Sequence, residues 1–308
     1  MFILTASPKG EKKLHNVTFS GLKMKNGKVV LTNGGSIKFI GKQLESIRGV
    51  VDVLIVDSSS IDNTASVALA HGAAVRIVAQ NDFNHASTRN IALEYPDYDF
   101  YCFMTQDASP IGDDFFQKLT ACFDDNDVVV AYARQIPRGD ADPIERFARG
   151  RNYPPVSHAA SKSDIGTMGI RAFFCSNSCA IYRANYFRHI GGFTPGLIRN
   201  EDMEFAARAV LDGKKKVYNA DVAVVHSHST NIFELAHRYY EIGLFFKQNK
   251  WILDTLRVNG ATLESTGISQ VVLECRYILA SNPMYLAKSL SCIFVKFFGY
   301  KIGFMLGK

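Results

Sequence analysis

The sequence predicts an α/β fold: a doubly wound, mostly parallel sheet flanked by helices, with a helical C-terminal extension. Three observations predict it. Short apolar runs alternate with segments of helical spacing over about 100 residues from position 28, the rhythm of strand–helix–strand units. The 308 residues are 47% apolar and 21% charged, proportions of a globular chain that exclude disorder, collagen and coiled coil. Beyond Ile232 the pattern is helical only.

Residues 1–27 are polar and lysine-rich, without a clear element. Lys28–Thr32 reads as a short strand, closed by Asn33-Gly34-Gly35. Ile37, Ile40, Leu44 and Ile47 follow at helical spacing behind Ser36, a fitting cap. Val51–Val56 is the next strand, ending on Asp57 and a serine-rich turn, and Asp62 is placed to cap a helix through His71. Ala74–Ala79 reads as strand, Ser87–Glu94 as helix, Phe100–Met104 as buried strand, Asp113–Phe123 as helix and Val128–Tyr132 as strand. The stretch from Arg134 to Thr167, rich in Pro, Arg, Asp and Ser, is too long for a connector and is expected to be a mobile wall of a site. Phe173–Tyr182 reads as strand, Glu201–Leu211 as helix, and Val217–Val225 as strand running into His226-Ser227-His228.

Six scattered cysteines in apolar surroundings fit reduced thiols, and Cys175 with Cys179 lacks the second pair that a zinc site needs. Met1–Ala6 has no basic residue ahead of its apolar run, so it does not read as a secretory signal, and no run of some 18 apolar residues predicts a membrane span. The formal charge is +6. Lys288, Lys296, Lys301 and Lys308 carry four of those charges, in a stretch from Leu286 that holds no acid and many aromatic residues. Such a terminus suits an anionic membrane surface, or a terminal helix packed on its own domain. On a single ideal helix Lys288 and Lys296 fall on a different side from Lys301 and Lys308, so two pieces hinged near Gly299 fit better.

Ligands of doubly wound sheets bind beyond the carboxyl ends of the strands, where Asn33, Asp57 and Asp107 stand. A carboxylate at Asp57, among small residues such as Ser59, can accept hydrogen bonds from a base or ribose. His85 and Arg89 open a helix, a setting that favours phosphate, although a capped helix with a solvated Arg reads equally well. Asp107 could bind Mg²⁺ or Mn²⁺ together with a diphosphate. His226 and His228, two apart on a strand, face one way and could add a ligand, or form a hydrogen-bonded surface pair. Glu201, Asp202 and Glu204 suit a helix start electrostatically, and Asp202 could also serve as a general base.

In their order and spacing, Thr32–Gly35, Asp57–Thr64, Phe83–Asn90, Thr105–Ala108, Tyr132–Pro137, Phe173–Asn177, Glu201-Asp202 and His226–His228 resemble glycosyltransferase family 2, inverting enzymes of the GT-A fold. Within it they are similar to bacterial rhamnosyltransferases of surface-polysaccharide synthesis. Asn63, Ala86 and Ala133 depart from the family pattern, which has glycine at these places.

The resemblance implies a GT-A domain over 28–230, an N-terminal segment 1–27 of unclear role, and a membrane-associating helical region 231–308. It implies a nucleotide-sugar donor, dTDP-L-rhamnose first, a lipid-linked or polysaccharide glycan acceptor, and a divalent metal, Mg²⁺ or Mn²⁺. No nucleic acid is involved, a homo-oligomer stays open, and the enzyme would work at the cytoplasmic face of the membrane. Asp202 becomes the catalytic base. Thr32, Asn33, Asp57, Ser59, His85, Arg89, Gln106 and Asp107 become the donor site, and Arg134, Gln135, Asn177 and Glu201 line the sugars. Asp107 with His226 or His228 meets the metal. A UDP-hexose transferase and a catalytically silent nucleotide- or glycan-binding subunit are the rival readings, the latter kept by the single acid in Gln106-Asp107.

Overall fold

The computed structural model describes residues 2–4, 29–31, 51–227, 231–261 and 264–306. Thr32, Asn33, His228 and the helix expected over 37–47 lie outside the described residues. Ten strands among those described form one sheet: β1 Phe2–Leu4, β2 Val29–Leu31, β3 Asp52–Asp57, β4 Ala74–Ile77, β5 Phe100–Met104, β6 Ser109–Ile111, β7 Val128–Ile136, β8 His158–Ala160, β9 Cys179–Arg183 and β10 Lys215–Val225. From one edge the order is β4, β3, then the short β1 and β2 sharing one slot, then β5, β9, β7 and β10. Parallel pairing dominates from β4 to β5 and returns between β7 and β10. β9 runs antiparallel between β5 and β7, and β6 and β8 lie antiparallel on β10.

Alternation along β5 divides the interior. Tyr101 and Phe103 face one apolar layer with Tyr132, Tyr182, Phe187 and Phe205, while Cys102 and Met104 face the other with Ile55, Phe115 and Leu119. The helices are α1 Thr64–Ala70, α2 His85–Arg89, α3 Phe115–Ala121, α4 Pro143–Asn152, α5 Ile165–Met168, α6 Ala184–His189, α7 Glu201–Leu211, α8 Ile232–Gln248, α9 Lys250–Val258, α10 Glu264–Ser281 and α11 Leu286–Leu306. Phe245, Phe246, Ile252 and Leu256 insert α8 and α9 into the first layer, so these helices share the sheet's own core. All six cysteines are free thiols.

Four expectations need correction. The stretch after Arg134 is ordered: β7 continues to Ile136, and α4 follows, capped by Asp142, which accepts from the Glu145 N–H at 2.9 Å, with Pro143 as its first residue. The strand read at Phe173 begins only at Cys179, because 3₁₀ and turn backbone occupies the residues before it. The terminal region has no hinge at Gly299, since α11 is one continuous helix. Together with the preceding turn it forms a stretch, Pro283–Leu306, long and apolar enough by length and composition to cross a membrane. Interspersed Ser, Gly and Lys hid that from a count of consecutive apolar residues.

Gly299 and Gly303 let α11 touch α8. A Cβ on Gly299 would lie 2.7 Å from the Ala236 carbonyl oxygen, and one on Gly303 would be closer still to that of Tyr240. Gly243 makes the reciprocal approach to Tyr300. The spacing Gly299-x-x-x-Gly303 is the small-residue pattern of close helix crossings. Gly303→Leu is expected to cost about 1–3 kcal/mol or more by overpacking, read as a lower urea midpoint.

Candidate active site

The carboxyl ends of β3, β5, β7 and β10 and the start of the antiparallel β9 lie along one edge of the sheet. Asp57, Gln106, Asp107, Gln135, Asn177 and His226 occupy that edge because each ends or precedes one of these strands. Asp57 is buried and accepts from the Ser60 N–H and hydroxyl. The backbone reverses at Ser59, whose φ is 59°, and its hydroxyl donates to the Val78 carbonyl at 2.9 Å. Asp62 acts one residue ahead of the helix cap, accepting from Thr64 N at 3.0 Å.

The second left-handed, non-glycine residue among those described is Asn200, with φ 62°, immediately before α7. Asparagine tolerates that conformation better than most residues, and strain of this kind gathers at functional sites. It delivers Glu201 and Asp202 at the first turn of α7. Asp202 Oδ2 accepts from Asn177 N at 2.9 Å and Oδ1 from Met203 N at 2.8 Å. Burial, reinforced by the negative charge of Glu201, pushes Asp202 up to about 7.

Glu201 is buried and holds Arg89 at 2.5 Å and the Asn177 side-chain amide at 3.0 Å. Tyr182 completes the group by donating to Asn177 Oδ1 at 2.8 Å. Arg89, expected at the donor phosphates, and Glu201, expected at a sugar, thus hold each other inside the protein. His85 stands beside them. Burial, and then the nearby Arg89 charge, lower it to about 4, so it is neutral at pH 7.

A second network spans the strand ends. Arg149 on α4 donates to Gln135 Oε1, which fixes that atom as the amide oxygen. The same oxygen lies 2.7 Å from His226 Nδ1, so Nδ1 must carry the proton. Gln135 Nε2 donates to Ser176 Oγ at 2.8 Å. His226 Nε2 then faces Asp107 Oδ1 across 3.2 Å. In a neutral imidazole this Nε2 carries a lone pair, so one nitrogen and one carboxylate oxygen converge, a mixed donor set that a divalent transition metal accepts. The residues present therefore suit a divalent metal, although the described residues contain no group of three His, Cys, Asp or Glu around one point.

Through Ser176 and Asn177, adjacent in sequence, the Asp107–His226 pair and Asp202 are tied to one short turn. Arg134 stands beside Gln135 on β7, half-buried, and Gln106 next to Asp107. Arg149, Ser176 and Tyr182 were not singled out from the sequence. Asp142-Pro143 with Glu145, a helix-start signature, would have placed Arg149 on an ordered helix.

Over residues 29–191, just over half the chain, the sequence matches the family described as Glycosyl transferase family 2. The chain belongs to glycosyl transferase family 2. The O-antigen chain rhamnosyltransferase WbaN of Salmonella anatum is 36% identical over 252 residues, covering 82% of this chain and 79% of its own length. RfbN of Salmonella typhimurium, an O-antigen chain rhamnosyltransferase too, is 35% identical over 253 residues with the same coverage.

Among solved structures, the mannosyltransferase PcManGT of Pyrobaculum calidifontis, in complex with GDP-Man and Mn²⁺, aligns with a TM-score of 0.58 at 14% identity. That alignment covers 90% of this chain and 88% of the other. S. aureus TarS 1-349 aligns with a TM-score of 0.52 at 16% identity, covering 90% and 89%. These likenesses share the GT-A fold that the family predicts. The protein is a glycosyltransferase.

Proposed function

We propose that this glycosyltransferase moves L-rhamnose from dTDP-L-rhamnose, with inversion, to a hydroxyl of a lipid-linked or polysaccharide glycan in O-antigen synthesis. It would act at the cytoplasmic face of the membrane, with residues 28–230 as the catalytic domain. The relatives' names support the sugar and the product. The observation that carries the chemistry is Asp202, raised to about 7 and joined by one turn to the Asp107–His226 pair.

Asp202 takes the proton of the acceptor hydroxyl. Its oxygen forms a bond to the anomeric carbon as the bond to the diphosphate oxygen breaks on the opposite side, and dTDP departs. A divalent metal held by Asp107 and His226 would supply positive charge to the leaving diphosphate. Gln135 keeps His226 in the tautomer with Nε2 toward Asp107, and Asp57 is placed to accept from the nucleoside. Asn177 N–H holds Asp202 in position.

Turnover of a nucleotide-sugar panel tests the reading. dTDP-L-rhamnose should be consumed in the presence of Mg²⁺ or Mn²⁺, and a chelator should stop it. Preference for a UDP-hexose would transfer the assignment to another sugar, and inertness toward the whole panel would leave a silent binding subunit. His226→Ala should raise the metal concentration needed for half-maximal rate by at least about tenfold. An unchanged metal requirement would remove His226 from the metal.

A further inference from the structure

Among the described residues, none covers the outer face of α11. Leu290, Phe294, Phe297, Phe298, Ile302 and Met305 recur at helical spacing and are exposed, Phe294 by 60% and Met305 by 70%. Lys301 lies in the same stripe, its ammonium 5.7 Å over the Phe297 ring. An apolar groove beside the stripe is lined by His237, Phe294 and Phe298, and Phe233, one turn before His237 on α8, is 83% exposed. From Leu286 to Leu306 there are three lysines and no acid.

We propose that this face docks on an anionic lipid bilayer, with α11 lying in the headgroup plane rather than crossing the membrane. Composition alone would permit a span; the packing opposes one. Lys288 near the start of α11 pairs with Asp142 of α4 at 2.7 Å. Near its end, the Met305 carbonyl accepts from Lys247 of α8 at 2.9 Å. Between these, Gly299 and Gly303 seat α11 on α8 backbone to backbone. Ser289 donates to the buried Glu274 of α10 at 2.8 Å. A crossing helix would draw α8 with it, including Glu241, which pairs with Arg199 at 2.6 Å, and Phe245 and Phe246 of the core. Lying flat, the helix gives its aromatic stripe to the acyl boundary and Lys301 to lipid phosphates.

A second copy of the chain fits the face less well. A two-fold contact would bring two such stripes together with Lys301 on each and no acid on α11 to meet it. Anionic headgroups supply the missing charge. Arg199, bound to α8, precedes Asp202 by three residues, so docking holds the catalytic edge at a fixed setting relative to the bilayer. In this last respect the inference rests on the lipid-linked acceptor proposed above; the docking itself does not.

The test uses the full chain without donor or acceptor, sedimented with vesicles of phosphatidylcholine alone or with phosphatidylglycerol added. Binding should need the anionic lipid and fall with salt. Lys301→Gln should weaken it by roughly fivefold. Phe294→Ser with Phe297→Ser should abolish it while circular dichroism and nucleotide-sugar hydrolysis stay at the parent level. In the parent background, Phe297→Trp should be quenched more by lipid brominated near the headgroup than near the chain end.

No binding by the parent, or undiminished binding by the phenylalanine variant, overturns the proposal. Membrane fractions that resist alkaline carbonate would show a span and overturn the flat geometry. A dimer in light scattering that the same variant dissociates, without vesicle binding, would assign the face to a second copy. Failure of the donor panel leaves vesicle binding untouched, so the two readings fail separately.

Discussion

Replacing Asp202 with asparagine is expected to lower glycosyl transfer by about 10²–10⁴-fold in a protein that remains folded, the usual worth of a positioned general base. Asparagine keeps the size and one acceptor for the Asn177 or Met203 N–H, so the turn should persist. What it loses is the capacity to take a proton. Progress curves with dTDP-L-rhamnose and acceptor give the number, and circular dichroism controls for folding. A rate within a few-fold of the parent would remove Asp202 from the chemistry.

The pH dependence carries the same assignment. Burial and Glu201 hold Asp202 near 7, and a base works only when ionised, so the parent rate should fall as pH drops through about 7. Linkage sets the sign for stability. The folded group is raised above the ordinary carboxylate value of about 3.9, so folding takes up a proton between about pH 4 and 7. Its stabilising contribution is complete below that window and is lost as pH rises through about 7. In Asp202→Asn this titration disappears, and the difference in unfolding midpoint between parent and variant should change across the window.

The strand ends were legible in the sequence because buried strands such as Phe100–Met104 and Val51–Val56 are short apolar runs closed by polar residues. Those closing residues, Asp57, Asp107 and His226, line the carboxyl edge that carries the candidate site. The inner face of the site was harder to read. Arg89 and Glu201 look like solvated helix residues when each is taken with its own segment. Only the sheet brings α2 and α7 together and converts two helix-end charges into a buried pair. The antiparallel insertion of β9 was hidden for a similar reason, since strand direction depends on the long connection before it and not on its own residues. The close seating of α11 on α8 was half visible: the glycines at 299 and 303 stood in the sequence, but a hinge and a close crossing use the same residue.

Arg89→Met is expected to destabilise the protein by about 3–5 kcal/mol, because it leaves the Glu201 charge buried without its cation. The effect should show as a lowered urea midpoint. The same pair also governs Asp202, which Glu201 raises and Arg89 lowers. Removing the guanidinium should therefore move the acid limb of the rate profile to higher pH, and Glu201→Gln should move it to lower pH. The two substitutions remove opposite partners of one ion pair, so a merely structural role would damage both in the same sense. Opposed shifts in the pH profile of the folded fraction would mark the pair as the device that sets the base. Parallel shifts, or none, would leave Arg89 and Glu201 as scaffolding for α2 and α7 and would require another origin for the raised carboxyl.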